Sequence, residues 1–247
     1  MDGERKADVV AEVLLRRIAR GEVAVGSLLP VEAELADEFD VNRSVVREAV
    51  KLLEVHRLVR PIRRRGTEVL DPIQSLSPEV LQALLSPRPG HVDLEFLRSL
   101  LEVRALIDVE MNSLAAVRRS ESDLERLRLA IEHVMAARES PRVFARRMDE
   151  VAMAIALAAQ SPVFVMLAHW HRRVYAELED LFETVRLPSS PWVDGLGLLL
   201  TSFRDRDGEA ARRLVSAYHA WASPRLLAAA ALRNGAPLDE LAPRAPE

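Results

Sequence analysis

The sequence predicts a mainly α-helical protein, with an N-terminal winged helix-turn-helix joined to an antiparallel α-helical bundle. Three observations carry this. Residues 6–55 hold three helical periods separated by turn residues; residues 57–70 switch to two short strand-like runs around "RRRG"; and from about residue 79 to 234 every segment has a helical period. The 247 residues suit two domains of roughly 100–200 residues each. Hydrophobic residues make up 49% but aromatics only 4%, so the cores must be built from Leu, Val and Ala.

The elements follow in order. In "KADVVAEVLLRRIAR" (6–20), Val10, Val13, Leu14 and Ile18 share one helical face, and Gly21 and Gly26 end the helix. Pro30 suits the entry to a short second helix, "VEAELADEF", whose Glu32 and Glu34 lie near its positive end. "DVN" is a break whose residues tolerate left-handed backbone. A third helix, "RSVVREAVKLLEV", buries Val46, Ala49, Val50 and Leu53 and sets Arg43, Arg47 and Lys51 four apart on another stripe. "RLVRPI" and "TEVL" then read as a hairpin closed by "RRRG", with Pro61 confining its strand to an edge.

"DPIQSLSPE" loses the periodicity and reads as a linker. The predicted organisation is a winged helix-turn-helix domain at 1–72, a linker at 73–78, an all-α domain at 79–234 and a flexible tail at 235–247. Helices are expected at 79–85, 92–118, 121–138, 142–159, 162–185, 192–204 and 207–233, with Ser120/Asp123 and Ser161 marking starts.

Charge is uneven. The whole chain carries −4, yet residues 41–66 hold eight basic residues against two acidic ones, a net charge of +6. A basic patch on an acidic chain suggests a confined polyanion site, against the plainer reading of a solvated helix face. The absence of cysteine excludes disulfides and thiolate metal sites. No segment approaches the ~20 apolar residues of a membrane span, and "MDGERKADVV" has no signal core, so a cytoplasmic protein with no membrane association is expected. G-x-S-x-G, P-loop, G-x-G-x-x-G and H-E-x-x-H motifs are all missing, and Asp149–Glu150, adjacent on a helix, point apart. A binding protein rather than an enzyme is the expectation.

Within this frame "LLP", "VNRSVVREAVKLL", "LV" and "RGT" occur in the order and spacing of the GntR-family winged helix, which the segment resembles. The helical remainder is similar to the FadR branch of that family, through "LLEVRALID" and "RRMDEVAMAIALAAQSPVF". The resemblance implies a homodimeric bacterial transcription regulator that binds a palindromic double-stranded operator and answers to a small effector in its C-terminal domain. It implies DNA contacts by Arg43, Ser44, Arg47 and Lys51 on the third helix and by Arg63, Arg64, Arg65, Gly66 and Thr67 at the wing. Two departures stand out: Ala33 replaces an arginine of many relatives, and Arg64 occupies a place where relatives have glycine. A left-handed backbone at Arg64 would be strained, so a different turn is expected.

Many relatives hold a divalent metal with one Asp and three His. Asp149 matches the Asp, but Met153 stands at the first His, no His lies near Leu196, and Tyr218 stands at the last, beside His219. No metal and no cofactor is therefore expected, and His169 and His171 read as surface or core residues. An apolar residue at the Met153 position resembles the acyl-CoA-responsive members, as do Arg104 and Tyr175. The expected effector contacts are Arg104, Asp149, Met153, Tyr175 and Tyr218, and the effector chemistry is either an acyl-CoA or a small organic acid. An internal pair of Arg104 with Asp108 is the plainer alternative for Arg104, and a DNA-binding protein with a vestigial pocket is the alternative for the whole.

Overall fold

In the computed structural model residues 5–185 and 191–237 are described. The chain forms two compact units, Met1–Asp93 and Leu94–Glu247.

The first unit contains α1 (Lys6–Ala19), α2 (Glu32–Glu38), α3 (Arg43–Val55), β1 (Val59–Ile62), β2 (Gly66–Val69) and α4 (Pro78–Leu85). Val10, Leu14 and Ile18 of α1 meet Leu35 of α2 and Val46, Ala49 and Leu53 of α3 in one core. Val46, Ala49 and Leu53 are fully buried, and a Val or Leu side chain so buried contributes about 1.5–3 kcal/mol. Val13 and Val50 lie at the margins of these stripes, half-buried. Asn42 caps α3 by accepting from the Val45 N–H at 3.0 Å. Asp40, with φ 49°, makes the left-handed step of the turn between α2 and α3.

β1 and β2 pair antiparallel, with Val59 opposite Val69 and Pro61 opposite Thr67. The chain before α2 covers the other edge of β2: the Leu29 N–H donates to Thr67 O and the Val69 N–H to Ser27 O. Pro61 therefore lies on the edge strand, where its missing N–H forgoes no ladder bond. At the wing tip the Arg65 N–H donates to Ile62 O, closing a turn whose third residue is Arg64. Arg64 has φ 62°, and Gly66 has φ 125°. The chain thus keeps a left-handed step at Arg64, contrary to the expectation of a different turn, at a cost of about 1–3 kcal/mol.

The expected linker and domain start also differ from the structure. Pro72–Gln74 forms a 3₁₀ turn capped by Asp71, and Ser77 caps α4. α4 was expected to open the second domain, but Val80 and Ala83 bury into the first core. Apolar periodicity shows that a helix has a buried face but not which core receives it.

The second unit comprises α5 (Leu94–Arg118), α6 (Glu121–Ala136), α7 (Pro141–Ala158), α8 (Pro162–Val174), α9 (Glu179–Glu183), α10 (Pro191–Arg204) and α11 (Gly208–Arg233). Ser120 and Asp123 form a reciprocal cap at the start of α6. α5 and α11 pack closely: a Cβ on Gly208 would lie 2.9 Å from Ser113 O. The single helix expected over 162–185 is broken. α8 ends at Val174, and a 3₁₀ turn at Ala176–Leu178 leads into α9. The break lets Tyr175, Leu178, Leu181 and Phe182 all turn inward. Of the expected tail, residues 238–247 lie outside the described residues.

Candidate functional site

The first unit presents a basic face. α3 places Arg43, Ser44, Arg47 and Lys51 in solvent because its opposite side is buried by Val46, Ala49 and Leu53. Arg63, Arg64, Arg65 and Gly66 are exposed at the wing, while Thr67 is half-buried and its carbonyl is held by Leu29. Several of these groups are already engaged. Arg47 Nε donates to Glu32 Oε2 at 2.7 Å, Lys51 Nζ to Glu48 at 2.9 Å, and Ser44 Oγ to Asn42 Oδ1 at 2.6 Å. Arg60 bonds Glu68 across the hairpin. The side chains of Arg43, Arg63, Arg64 and Arg65 have no ion pair or hydrogen bond among the described residues. Such a face suits double-stranded nucleic acid. Arginines on a helix can reach guanine edges, and a cationic wing can hold phosphates. An ion pair of Arg47 with Glu48 or with a neighbouring helix is the plainer reading of that residue, and it is the neighbouring helix that supplies the partner, Glu32 of α2, while Glu48 is taken by Lys51.

The second unit contains a cavity of about 920 Å³ that is partly open to solvent. All five expected effector residues, Arg104, Asp149, Met153, Tyr175 and Tyr218, line it. On α5, Arg104, Asp108 and Asn112 fall at i, i+4 and i+8, one stripe along the helix. Arg104 Nε donates to Asp108 Oδ2 at 3.2 Å, which is the expected internal pair. The guanidinium lies 5.3 Å from the Tyr175 ring and 5.0 Å from the Phe182 ring, so the broken helix supplies a sandwich for it. Its terminal amino groups have no partner among the described residues.

Burial opposes the Arg104 charge, but Asp108, Tyr175 and Tyr218 outweigh it and raise its pKa further. Burial likewise opposes the Asp108 carboxylate, yet His219 and Arg104 hold it below the usual carboxylate range. His219 Nε2 is 3.2 Å from Asp108 Oδ2, an ion-pair distance, but the ring is not aligned for a hydrogen bond. His219 is thus an electrostatic neighbour of Asp108. Burial, reinforced by Arg104, pushes His171 down to about 4, so its ring is neutral near pH 7. Burial pushes the Tyr175 hydroxyl up to about 12, so it stays protonated.

Both His169, which is exposed, and His171, which is half-buried, line the cavity. Among the described residues three buried polar atoms make no hydrogen bond: Asn112 Oδ1, Tyr175 Oη and His219 Nε2, the last with only its ion-pair contact to Asp108. Buried polar groups without a hydrogen bond are uncommon, and their clustering in residues that line one cavity points to a ligand or water. Among the described residues no three His, Asp or Glu side chains are grouped to hold a metal ion. Asn112 and Phe182 were missed from the sequence. The i, i+4, i+8 spacing from Arg104 would have found Asn112; nothing local marks Phe182.

Comparison with known proteins decides the family. Residues 6–69 match the profile of bacterial regulatory proteins of the gntR family, and residues 99–220 match the FCD domain. The chain belongs to the GntR family. It is a DNA-binding regulator of transcription type, with a winged helix-turn-helix and an FCD domain. Among curated relatives, the galactonate operon transcriptional repressor of Escherichia coli is 27% identical over 214 residues, covering 84% of this chain and 91% of that one. The regulator LutR of Bacillus subtilis is 36% identical over 118 residues, 47% of this chain and 51% of that one, so the chain spans only about half of that relative. Among solved structures, Lar, described as controlling expression of the Listeria monocytogenes agr system, aligns with a TM-score of 0.60 at 18% identity. That alignment covers 92% of this chain and 98% of Lar, and it supports the fold alone. No helix among the described residues is long and apolar enough to cross a membrane.

Proposed function

We propose that this GntR-family chain works in the cytoplasm as a homodimeric, metabolite-responsive regulator that binds a palindromic operator and has no catalytic role. The two-fold of a dimer matches the two half-sites of a palindrome. Arg43 and Arg47 read base edges, with Ser44 and Lys51 on the adjoining backbone. Arg63 to Thr67 grip phosphates through the wing. The effector enters the second-unit cavity, contacts Arg104, Met153, Tyr175 and Tyr218 with Asp149 nearby, and needs no metal. An effector changes operator affinity only if it binds the two states of the protein with different affinity.

One observation supports the sensing half of this reading: Arg104, paired only through Nε, lines one cavity together with Asn112, Tyr175 and His219, each of which has a buried polar atom without a hydrogen bond. A pocket without a ligand would gain stability by closing over hydrocarbon instead. The test of the DNA half is fluorescence anisotropy with duplexes from the chain's own upstream region against scrambled duplexes at moderate salt. Sequence-selective binding is expected; equal affinity for both sets would overturn the proposal.

A further inference from the structure

The charge balance of the cavity bears on what fills it. Apart from its histidines, the lining holds four carboxylates and four arginines, which balance. Two of those arginines already have partners: Arg104 is bound to Asp108, and Arg126 to Asp123. The other two, Arg146 and Arg172, are exposed. Arg104, with its side chain 17% exposed against 47% for Arg126, is the sheltered cation that an acidic head group would seek. There it meets Asp108, whose Oδ2 lies 3.2 Å from Arg104 Nε. Burial opposes the Asp108 charge, but His219 and Arg104 hold its pKa below the usual range, so the carboxylate stays ionised. A ligand carboxylate about 4 Å from the guanidinium would stand about 5.5 Å from Asp108, and the repulsion would cancel about three quarters of the attraction. The remainder does little to offset the desolvation of an ion, which can exceed even the full attraction of a pair. The terminal amino groups of Arg104 still lack an acceptor, and an uncharged carbonyl oxygen supplies one without that repulsion. Much of the remaining wall is apolar. Met111, Met148 and Met153, three of the six methionines in the chain, line this one cavity. Methionine is unbranched and polarisable and adapts to irregular apolar shapes. A cavity of about 920 Å³, near the upper end of ordinary ligand pockets, has room for a medium-length hydrocarbon body.

We propose that the cavity takes an uncharged hydrophobic molecule with a carbonyl acceptor, such as an ester, ketone or amide, and discriminates against acids. The carbonyl accepts from the terminal amino groups of Arg104, and the hydrocarbon body lies against the methionines. This rests on the reading of the cavity as the effector site and gives that site a ligand class. It is neither of the acidic ligands that the sequence suggests. Asp108 makes the difference: it turns an arginine that would hold an acid into a donor for a neutral oxygen.

Methyl decanoate and decanoate share a chain and a carbonyl and differ in charge. Each is titrated into the full-length protein at pH 8, above the ordinary imidazole pKa of about 6.5. The readout is displacement of the neutral fluorophore N-phenyl-1-naphthylamine. Methyl decanoate should bind about tenfold or more tighter than decanoate. An ester is also the more hydrophobic of the two, so the variants decide the cause. Asp108→Asn releases the Arg104 charge, and the ester-to-acid ratio should fall by about tenfold or more. Should that variant fail to fold, Arg104→Gln/Asp108→Asn leaves no lone buried charge. In it decanoate should lose less than about threefold; a tenfold loss would mean that Arg104 holds acids in the wild type. Met153→Trp narrows the cavity and should weaken methyl decanoate. Decanoate binding as tightly as its ester, an unchanged ratio in Asp108→Asn, indifference to Met153→Trp, or no binding of any probe would each overturn the inference. Operator anisotropy in the same samples keeps the two readings apart. Methyl decanoate that binds without changing operator affinity sinks the effector role and leaves the ligand class standing. Decanoate that binds more tightly than the ester and shifts operator affinity does the reverse.

Discussion

Replacing Glu32 with Gln removes the carboxylate that holds Arg47 Nε at 2.7 Å while keeping the side-chain shape. If Arg47 reads a base edge, it must leave Glu32 to do so. The side chains are 62% and 43% exposed, so the pair is worth only about 0–1 kcal/mol after solvent screening. The expected gain in operator affinity is therefore small, about two- to fivefold, since 1.4 kcal/mol would be tenfold. Freed from Glu32, Arg47 also joins the phosphate contacts on random DNA, steepening the dependence of log K on log salt by about 0.9. The assay is anisotropy of wild type, Glu32→Gln, Arg47→Ala and the double variant across a salt series. In the Arg47→Ala background the Glu32 effect should vanish. Weaker operator binding by Glu32→Gln would refute the reasoning, because it would mean Glu32 orients Arg47 for reading. A gain that persists without Arg47 would refute it differently, reducing Glu32 to a general charge effect.

Other consequences are independent of the ligand. Arg64→Gly relieves a left-handed arginine with φ 62°, so the winged-helix unit should gain about 1 kcal/mol, read as a rise of a few degrees in its melting transition. Gly208→Ala places a Cβ 2.9 Å from Ser113 O and 3.0 Å from Val117 Cγ2, forcing α11 off α5; a loss of about 1–3 kcal/mol is expected by urea denaturation. His171 is neutral in the folded protein down to about pH 4. Between its ordinary pKa near 6.5 and 4 the unfolded chain binds the extra proton, so the stability contribution is full above about 6.5 and is lost as pH falls towards 4. Arg104, Asp108 and His219 face the same ring, and Asp108, itself depressed, adds a similar loss at lower pH. In His171→Gln the slope of melting temperature against pH between 6.5 and 4 should flatten.

Much of the winged helix was legible because its devices are local. The apolar stripes of α1 and α3, the Asn42 cap and Pro61 at an edge each depend on a few neighbouring residues. α4 was found but assigned to the wrong core, since Val80 and Ala83 are apolar whichever unit receives them. The break after Val174 was not legible: the helical period continues through Tyr175, and what ends α8 is the inward packing of Tyr175 and Phe182 around Arg104. The Arg104–Asp108 pair was foreseen by its i, i+4 spacing, whereas His219, 111 residues on from Asp108, reaches it only through the packing of α11 on α5. Arg64 shows the opposite error. The rule against left-handed arginine is sound on average, but the bond from Arg65 N to Ile62 O and the pairing of β1 with β2 fix the turn despite it.

The most direct measurement is competition anisotropy of Arg47→Ala and Arg64→Gly against an upstream-region duplex and its scrambled counterpart. The account divides the basic segment into a reading helix and a gripping wing. Arg47→Ala should lose operator affinity by about 1–3 kcal/mol with little change on scrambled DNA, and Arg64→Gly should weaken both duplexes alike and lower the salt slope by about one. Equal loss of selectivity from the two substitutions would contradict it.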